Sequence, residues 1–286
     1  MTHLAFATML NLAHDTGDET LLADAFAKRG IQASLAAWDN PEVDWRIFDM
    51  VLIRSTWNYY QQHEAFSAWL DKLEQLGVPL YNPAAMVRGN MHKSYLLDLA
   101  AAGANVVETR LFPKGSQLDL AEVLAQTGWD EAVVKPAISA TAYNTRRFTA
   151  RETQHQQAFV SELLRDNDVL LQPFMTEVVD AGELSLLYFG GRFSHAVVKQ
   201  ARAGDFRVQE NFGGSVTPFN PSPEILAQAD AIVAAIVGDS LYARVDVILS
   251  QSQLLLMELE LIEPQLFISQ FPESADRLVD AMLARI

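Results

Sequence analysis

The sequence has 286 residues, half of them hydrophobic, and its 36 acidic against 21 basic side chains give a formal net charge of −15. Nucleic-acid partners are therefore not expected, because affinity for phosphate backbones rests on an excess of lysine and arginine. The absence of cysteine excludes disulfides, thiolate catalysis and cysteine-bound zinc or iron–sulfur sites.

Alternating strand and helix patterns at the N-terminus predict a small parallel α/β lobe over about residues 1–88. The expected elements are strands at 3–10, 31–38 and 50–55 and helices at 18–29 and 63–76. The first segment lacks a basic start and is interpreted as a strand, not a signal peptide. No later apolar run is long enough to span a membrane, so we expect a cytoplasmic protein without a membrane partner.

A polar and aromatic loop follows the third predicted strand and begins Arg54-Ser55-Thr56-Trp57. Open α/β sheets bind ligands beyond the carboxyl ends of their strands. These four residues are therefore candidates for substrate contacts. A surface loop with a structural tryptophan is the alternative.

Two lysines in the middle of the chain occupy positions that favour a nearby anion. Lys93 falls in the first turn of a helix predicted over Met91–Ala102, where positive charge opposes the helix dipole. Lys135 falls in an apolar strand over 132–136, where an unpaired ammonium would be costly. For Lys93 the alternative is an ordinary solvated side chain. The loop after Lys135 is rich in small and hydroxyl residues suited to phosphate contacts, but it contains no glycine.

Further strands are expected at Val106–Phe112 and at Asp168–Met175. The second of these ends Gln172-Pro173-Phe174-Met175, and proline cannot continue a central ladder. Such a break leaves backbone groups beside apolar side chains, which suits a flat heterocycle. A linker between lobes is the alternative. A hairpin is then predicted around Gly190-Gly191, followed by a helix at 223–237 and a final helix at 273–285.

The stretch Tyr242–Gln265 alternates at period two and predicts two strands around a polar turn. If the turn is centred on Ser252, Asp246 lies opposite Glu258. The apolar positions of both strands then point to the other face, into a core: Val245, Val247, Met257, Leu259 and Leu261.

On the polar face of this hairpin, Glu260 joins Asp246 and Glu258, and Arg244 lies across from Glu260. Crowded carboxylates should raise at least one pKa unless a cation sits between them. Such an oxygen-only set suits Mg²⁺, usually completed by substrate phosphates. The alternative is a solvated acidic face.

The order of these features resembles the ATP-grasp superfamily over essentially the full length of the chain. The motifs that carry the resemblance are Val-Val-Lys-Pro, Gln-Pro-Phe-Met, Gly-Glu at the hairpin, Ala-Arg-Val-Asp and Glu-Leu-Glu. The resemblance implies an α/β fold with a parallel N-terminal lobe at 1–88 and two α+β lobes, at 89–175 and 176–286, that hold ATP between them. The overall likeness is greatest to the cycloserine-forming cyclo-ligase branch.

The resemblance also implies roles for individual residues. ATP phosphates would contact Lys93 and Lys135, the adenine would lie against Gln172, Pro173, Phe174 and Met175, and Glu183 would be a further acidic ATP contact. Asp246, Glu258 and Glu260 match Mg²⁺ ligands, although many amino-acid ligases have asparagine at the position of Glu260. Arg244 resembles an arginine that stabilises an oxyanion, and Arg207 resembles a phosphate or substrate arginine.

The activity implied is that of an ATP-dependent carboxylate–amine ligase that works through an acylphosphate, with ATP and Mg²⁺ as cofactors. Its partners would be small, amino-acid-like carboxylate and amine substrates, and an intramolecular cyclisation stays open. The alternatives are a small-molecule kinase and an ATP-binding sensor or scaffold module without turnover. A homodimer is also left open.

Overall fold

The structure is a computed structural model that describes residues 2–12, 17–208 and 212–286. The strands in these ranges form three sheets that follow one another along the chain. Among the helices described, none has the length and apolar character needed to cross a membrane.

The first sheet is parallel, with strand order β2-β1-β3-β4. Its elements are β1 (Thr2–Thr8), α1 (Asp18–Ala27), β2 (Ile31–Ala37), β3 (Met50–Ser55), α2 (His63–Leu76) and β4 (Leu80–Tyr81). Buried side chains of β1 alternate between two cores: Leu4 and Phe6 pack with α1, while Ala5 and Ala7 share a cluster with α2. The predicted parallel α/β arrangement is therefore confirmed.

Two short helices, α3 (Ala84–Met91) and α4 (Tyr95–Ala101), take the place of the single helix predicted over Met91–Ala102. Lys93 lies in the turn between them, so the prediction that it occupies the first turn of a helix is wrong. Its backbone N–H donates to the carbonyl of Ala137 at 2.8 Å instead of to a preceding helical turn. This bond ties the turn to the loop after β6.

The second sheet is antiparallel and has strand order β5-β8-β6-β7. Its elements are β5 (Arg110–Phe112), α5 (Leu120–Thr127), β6 (Glu131–Pro136), β7 (Arg146–Thr149), α6 (Thr153–Asp166) and β8 (Val169–Pro173). The strand predicted over Val106–Phe112 is shorter than expected. Val106 instead makes an isolated bridge to Leu256 of the third sheet, which places the start of this segment in another lobe.

The third sheet is also antiparallel, with strand order β11-β10-β9-β12-β13. Its elements are α7 (Glu177–Asp180), β9 (Glu183–Phe189), β10 (Arg192–Gln200), β11 (Ser215–Phe219), α8 (Pro223–Ala234), β12 (Tyr242–Ser250), β13 (Gln253–Glu260) and α9 (Ser274–Leu283). Both predicted hairpins are present, β9 with β10 and β12 with β13. They form four of the five strands of this sheet, with β13 at one edge.

A bulge sets the register of the β12–β13 hairpin. The turn consists of Gln251 and Ser252, and Ser250 pairs with Gln253. The register then shifts between Asp246 and Val247, so that Asp246 still pairs with Glu258 and Arg244 with Glu260, as predicted. Met257 is the extra residue, and it lines a cavity instead of the core cluster that its neighbours share. The prediction that Met257 points into that core is therefore wrong.

Asn82, directly after β4, joins the first lobe to the third sheet. Its side chain is fully buried, and its amide nitrogen donates to the carbonyls of Tyr242 at 2.9 Å and Leu261 at 2.8 Å. Its amide oxygen accepts from the backbone N–H groups of Leu241 at 2.6 Å and Tyr242 at 3.3 Å. One side chain thus satisfies four buried backbone groups.

Asn82→Ala should lower the free energy of unfolding by about 2 kcal/mol or more, because buried donors and acceptors would lose their partner. The measurement is urea denaturation at equilibrium. Asn40→Ala is the matched control, since the Asn40 side chain bonds only to the nearby amide of Glu42. Equal unfolding midpoints for the two variants would contradict the assignment.

Candidate active site

A cavity of about 540 Å³ lies between the second and third sheets, a size typical of small-ligand sites. The sequence-predicted residues that line it are Trp57, Lys93, Lys135, Gln172, Pro173, Phe174, Met175, Glu183, Arg207, Arg244, Asp246, Glu258 and Glu260. Strands β6 and β8 supply one wall, and β9, β12 and β13 supply the other. The fold therefore brings together residues that are far apart in the sequence.

Three of the predicted substrate residues lie outside the cavity lining. Arg54, Ser55 and Thr56 are 2%, 1% and 0% exposed within the first lobe. The guanidinium of Arg54 lies 3.7 Å from the carboxylate of Glu19, and it donates to the carbonyl of Pro264 at 3.4 Å. Arg54 and Ser55 are the last two residues of β3, and Thr56, directly after the strand, is buried as well, so the loop becomes accessible only from Trp57 onwards. Trp57 is the one of the four that reaches the cavity.

Arg244 and Asp246 form the centre of the charged wall. The Arg244 guanidinium donates to both Asp246 oxygens, with Nη2 to Oδ2 at 2.8 Å and Nε to Oδ1 at 3.0 Å. The same guanidinium bonds to Glu260 on the neighbouring strand. Residues two apart on β12 share a face, so this pairing follows from the strand geometry.

Lys199 on β10 is a functional candidate that sequence reasoning missed. Its ammonium lies 2.5 Å from Glu183 and 3.1 Å from Asp246, and its side chain is 8% exposed. A bulge between Phe193 and His195 places Lys199 opposite Glu183, whereas a regular hairpin would put it on the other face. The only indication in the sequence was a lysine near the end of a largely apolar strand, in a hairpin whose other strand begins at Glu183.

The pKa values of the carboxyl groups at this wall are shifted in different directions. Although burial works to raise it, the neighbouring Arg244 and Lys199 hold the pKa of Asp246 well below its usual range. Burial and the nearby Asp246 and Glu258 raise the pKa of Glu260 to about 7, although Arg244 opposes the shift. The expectation that crowding raises at least one pKa is met at Glu260.

Lys93 and Lys135 differ in their partners. Lys93 is 5% exposed, lies 2.7 Å from the carboxylate of Glu258 and donates to the carbonyl of Ser139 at 2.7 Å. Lys135 has no carboxylate within 4.0 Å in the part of the chain that the structure describes, and burial lowers its pKa. The anionic partner expected for Lys135 is therefore not a side chain among the described residues.

The loop after β6 lines this part of the cavity. Ser139, Ala140, Thr141, Ala142 and Thr145 line the cavity, so the loop lies where the sequence predicted phosphate contacts. Thr141 and Ala142 have φ angles of 51° and 55°, in the left-handed region that usually favours glycine. The turn thus forms without the glycines that its shape would suggest.

The end of β8 and the loop after β10 form the apolar end of the cavity. The side-chain amide nitrogen of Gln172 donates to the hydroxyl of Thr109 at 2.8 Å. The guanidinium of Arg147 lies 3.6 Å from the ring centroid of Phe174. Arg207 pairs with Asp205 at 2.7 Å on the facing loop.

Glu263 is a second lining residue that the sequence did not single out. It follows the end of β13 at Glu260, where the period-two pattern no longer applies. The residue is 8% exposed, and burial, assisted by the nearby Glu260, raises its pKa to about 8.

The arrangement places buried cations on both sides of a space large enough for a nucleotide, and carboxylates on the hairpin face between them. No group of three or more metal-ligating side chains among the described residues is arranged to hold a metal ion. Asp246, Glu258 and Glu260 are each turned to a cation. Their all-oxygen donor set nevertheless suits Mg²⁺, once a polyanion draws those cations away.

Two family descriptions match the chain. Residues 93–270 match the RimK-like ATP-grasp domain, and residues 4–82 match the N-terminal domain of the D-cycloserine synthetase DcsG. The cycloserine biosynthesis protein DcsG of Streptomyces lavendulae is 30% identical over 278 residues, which cover 93% of this chain and 92% of that protein.

Solved structures agree with these matches. The crystal structure of the D-cycloserine synthetase DcsG superposes with a TM-score of 0.91 at 28% identity and covers 99% of both chains. The D-alanine–D-alanine ligase from Bacillus anthracis in complex with ATP superposes with a TM-score of 0.71 at 14% identity and covers 99% of this chain and 97% of that one. At that identity the second likeness shows the fold alone.

Lys199→Met should reduce the free energy of unfolding at pH 7 by about 3–5 kcal/mol, because Asp246 and Glu183 would both lose a buried counter-charge. The deficit relative to the wild type should shrink at pH 5, where unpaired buried carboxylates take up protons. Urea denaturation at the two pH values provides the measurement.

Lys72→Met, which removes an exposed lysine, is the control for the change in net charge. A Lys199→Met protein that is as stable as this control at pH 7 would show that Lys199 does not balance the two carboxylates.

Proposed function

The chain belongs to the RimK-like ATP-grasp family and is an ATP-dependent ligase, and from that premise we propose that it joins a carboxylate to an amine within one small amino-acid-like molecule. The name of DcsG refers to cycloserine, a cyclic amino-acid derivative, and DcsG matches nearly the whole chain both in sequence and in structure. Ring closure by an amide-type bond is the reaction that fits both the family and that name.

The observation that carries the proposal is the charge layout of the cavity. Lys135 is a partly buried cation without a carboxylate partner within 4.0 Å among the described residues, and it faces the acidic hairpin across the open space. An ammonium in such a place is stabilised by a bound anion. We assign Lys135 and Lys93 to the phosphates of ATP.

The nucleotide base is assigned to the apolar end of the cavity. Backbone groups of Gln172 and Pro173 with the side chains of Phe174 and Met175 would line it, because the side-chain amide of Gln172 is already engaged by Thr109. Glu183 is a further ATP contact in this proposal. Its bond to Lys199 places it at the edge between the nucleotide end and the charged wall.

Mg²⁺ fits the donor set of Asp246, Glu258 and Glu260, which we propose would hold it. Directly opposed carboxylates on a sheet have Cβ atoms about 4.5–5.5 Å apart, so Asp246 and Glu258 can reach a common ion. Burial, with Asp246 and Glu258 nearby, raises the pKa of Glu260 to about 7, and a bound cation would stabilise its charged form. Bound there, the ion would neutralise phosphate charge during phosphoryl transfer.

The proposed reaction has two steps. A carboxylate oxygen of the substrate attacks the γ-phosphorus of ATP, and the bond to ADP breaks to give an acylphosphate and ADP. The amine nitrogen then attacks the acyl carbon, inorganic phosphate leaves with the bonding electrons, and the nitrogen loses a proton. Phosphoryl transfer of this kind relies on positioning and charge neutralisation.

Arg244 is assigned to the oxyanion that develops at the acyl carbon in the second step. Its guanidinium lies on the same face as the proposed metal ligands and is held there by Asp246 and Glu260. Arg207, on the facing loop beside Asp205, is assigned to phosphate or substrate. Trp57 is the proposed substrate contact from the first lobe, and the chain is proposed to work in the cytoplasm.

The test of this function is ADP release by purified protein in Mg²⁺ with a panel of amino acids, in the presence and absence of hydroxylamine. Hydroxylamine captures an acylphosphate as a hydroxamate, which iron(III) makes visible. A ligase should give ADP and hydroxamate in equal amounts. A kinase would give ADP without hydroxamate, and a binding module would give neither.

Lys135→Met should raise the dissociation constant of ATP about ten- to a hundredfold, since a charged hydrogen bond contributes about 1.5–3 kcal/mol. Isothermal calorimetry with ATP and Mg²⁺ measures it. Lys114→Met, at an exposed position of the same lobe, should bind ATP like the wild type. Unchanged affinity in Lys135→Met would remove Lys135 from the phosphate site.

Arg244→Lys should bind ATP normally but lose about 10²–10³ in kcat for amide formation, because lysine keeps the charge and loses the planar fork of donors. Steady-state product formation and ATP calorimetry measure the two effects separately. Arg277→Lys, at a partly exposed position in α9, is the control. Normal turnover combined with weak ATP binding in Arg244→Lys would be the opposite of this expectation.

A further inference from the structure

We infer that Glu263 forms a subsite for the ammonium group of an amino-acid substrate, an inference that rests on the proposed ligase function and adds a determinant of substrate class. Four other carboxylates that line the cavity each pair with a cation. Asp246 and Glu260 pair with Arg244, Glu258 pairs with Lys93, and Glu183 pairs with Lys199. Glu263 stands apart from this set.

Glu263 has no ion pair within 4.0 Å in the ranges that the structure describes, although it is more than nine-tenths buried. Glu263 lines the same cavity as Glu260, Glu258 and Lys93. A buried carboxyl without a cation is costly in its charged form. A ligand ammonium would supply the missing partner.

The backbone around Glu263 is fixed by three successive carbonyl contacts. The Trp57 indole N–H donates to the carbonyl of Glu263 at 3.2 Å, and the Arg54 guanidinium donates to that of Pro264 at 3.4 Å. The Arg244 guanidinium then donates to the carbonyl of Gln265 at 3.3 Å. Two of these side chains belong to the first lobe and one to β12, so the segment is held from both sides.

This placement has a consequence for substrate geometry. Arg244, the assigned oxyanion partner, holds Gln265, two residues from the Glu263 carboxyl. Because Arg244 and Glu263 both line the cavity, one substrate can place its carboxyl group near Arg244 and an ammonium group near Glu263. An α-amino acid carries both groups.

The experiment measures hydroxamate formation with ATP, Mg²⁺ and hydroxylamine for matched carboxylates that differ only in the amine. D- and L-serine are compared with 3-hydroxypropanoate, and D- and L-alanine with propanoate. The wild type should prefer the amino acid in kcat/KM by about tenfold or more, as expected for a charge-assisted hydrogen bond. Glu263→Gln should lose that preference while the KM for ATP stays unchanged, and Glu263→Asp should keep part of it.

Glu273→Gln, at a partly exposed position outside the cavity lining, is the matched control and should keep the wild-type preference. Thermal unfolding checks that Glu263→Gln is folded, so that a structural role would appear as lost stability with the preference intact. A Glu263→Gln protein that keeps the preference, or a wild type that has none, overturns the subsite alone. No hydroxamate from any of the acids overturns the proposed function and the subsite with it.

Discussion

On the charged face of the third sheet, each carboxylate has a cation close by, and the face depends on this pairing. Asp246 lies between Arg244 on its own strand and Lys199 on β10, while Glu258 pairs with Lys93 from the turn between α3 and α4. The cations therefore come from three separate parts of the chain, and removing either partner of such a pair costs about 3–5 kcal/mol. In the proposed function, the partners in these ion pairs are replaced by phosphate and by Mg²⁺ when ATP binds. Phosphates that attract Lys93 release Glu258 to bind Mg²⁺, so nucleotide and metal binding would favour each other.

Hydrophobic periodicity predicted most strands of the three sheets, although not β4, β7 or β11, because long buried strands and amphipathic helices leave strong patterns. It predicted less well where a single extra residue changes which face a side chain occupies. In the β12–β13 hairpin, the wrong turn centre and the unforeseen bulge cancelled, so Asp246 and Glu258 were placed correctly while Met257 was not. In the β9–β10 hairpin nothing cancelled. The bulge there moved Lys199 opposite Glu183, and no sequence pattern predicted that bulge.

Loop residues were harder to place than strand residues for a different reason. The rule that ligands bind beyond the carboxyl ends of parallel strands located the correct edge of the first sheet. The strand was predicted to end at Ser55, as observed, so Arg54 and Ser55 belong to the strand and not to the loop, and the side chain of Arg54 is buried beside Glu19. Glu263 escaped notice because it follows the end of β13, where alternation no longer predicts direction.

The first lobe nevertheless acts on the cavity through the segment that follows β13. Trp57 and Arg54 hold the carbonyls of Glu263 and Pro264, and Arg244 holds the next carbonyl from the side of the charged wall. A carboxyl group on a backbone fixed at three consecutive positions has little freedom to move away from a ligand. Pre-organised groups of this kind contribute most when charge develops, since they need no rearrangement at the moment of reaction. The first lobe, which contributes only Trp57 of the four predicted substrate residues to the cavity, thus helps to hold the segment that carries the acid proposed to bind the amine.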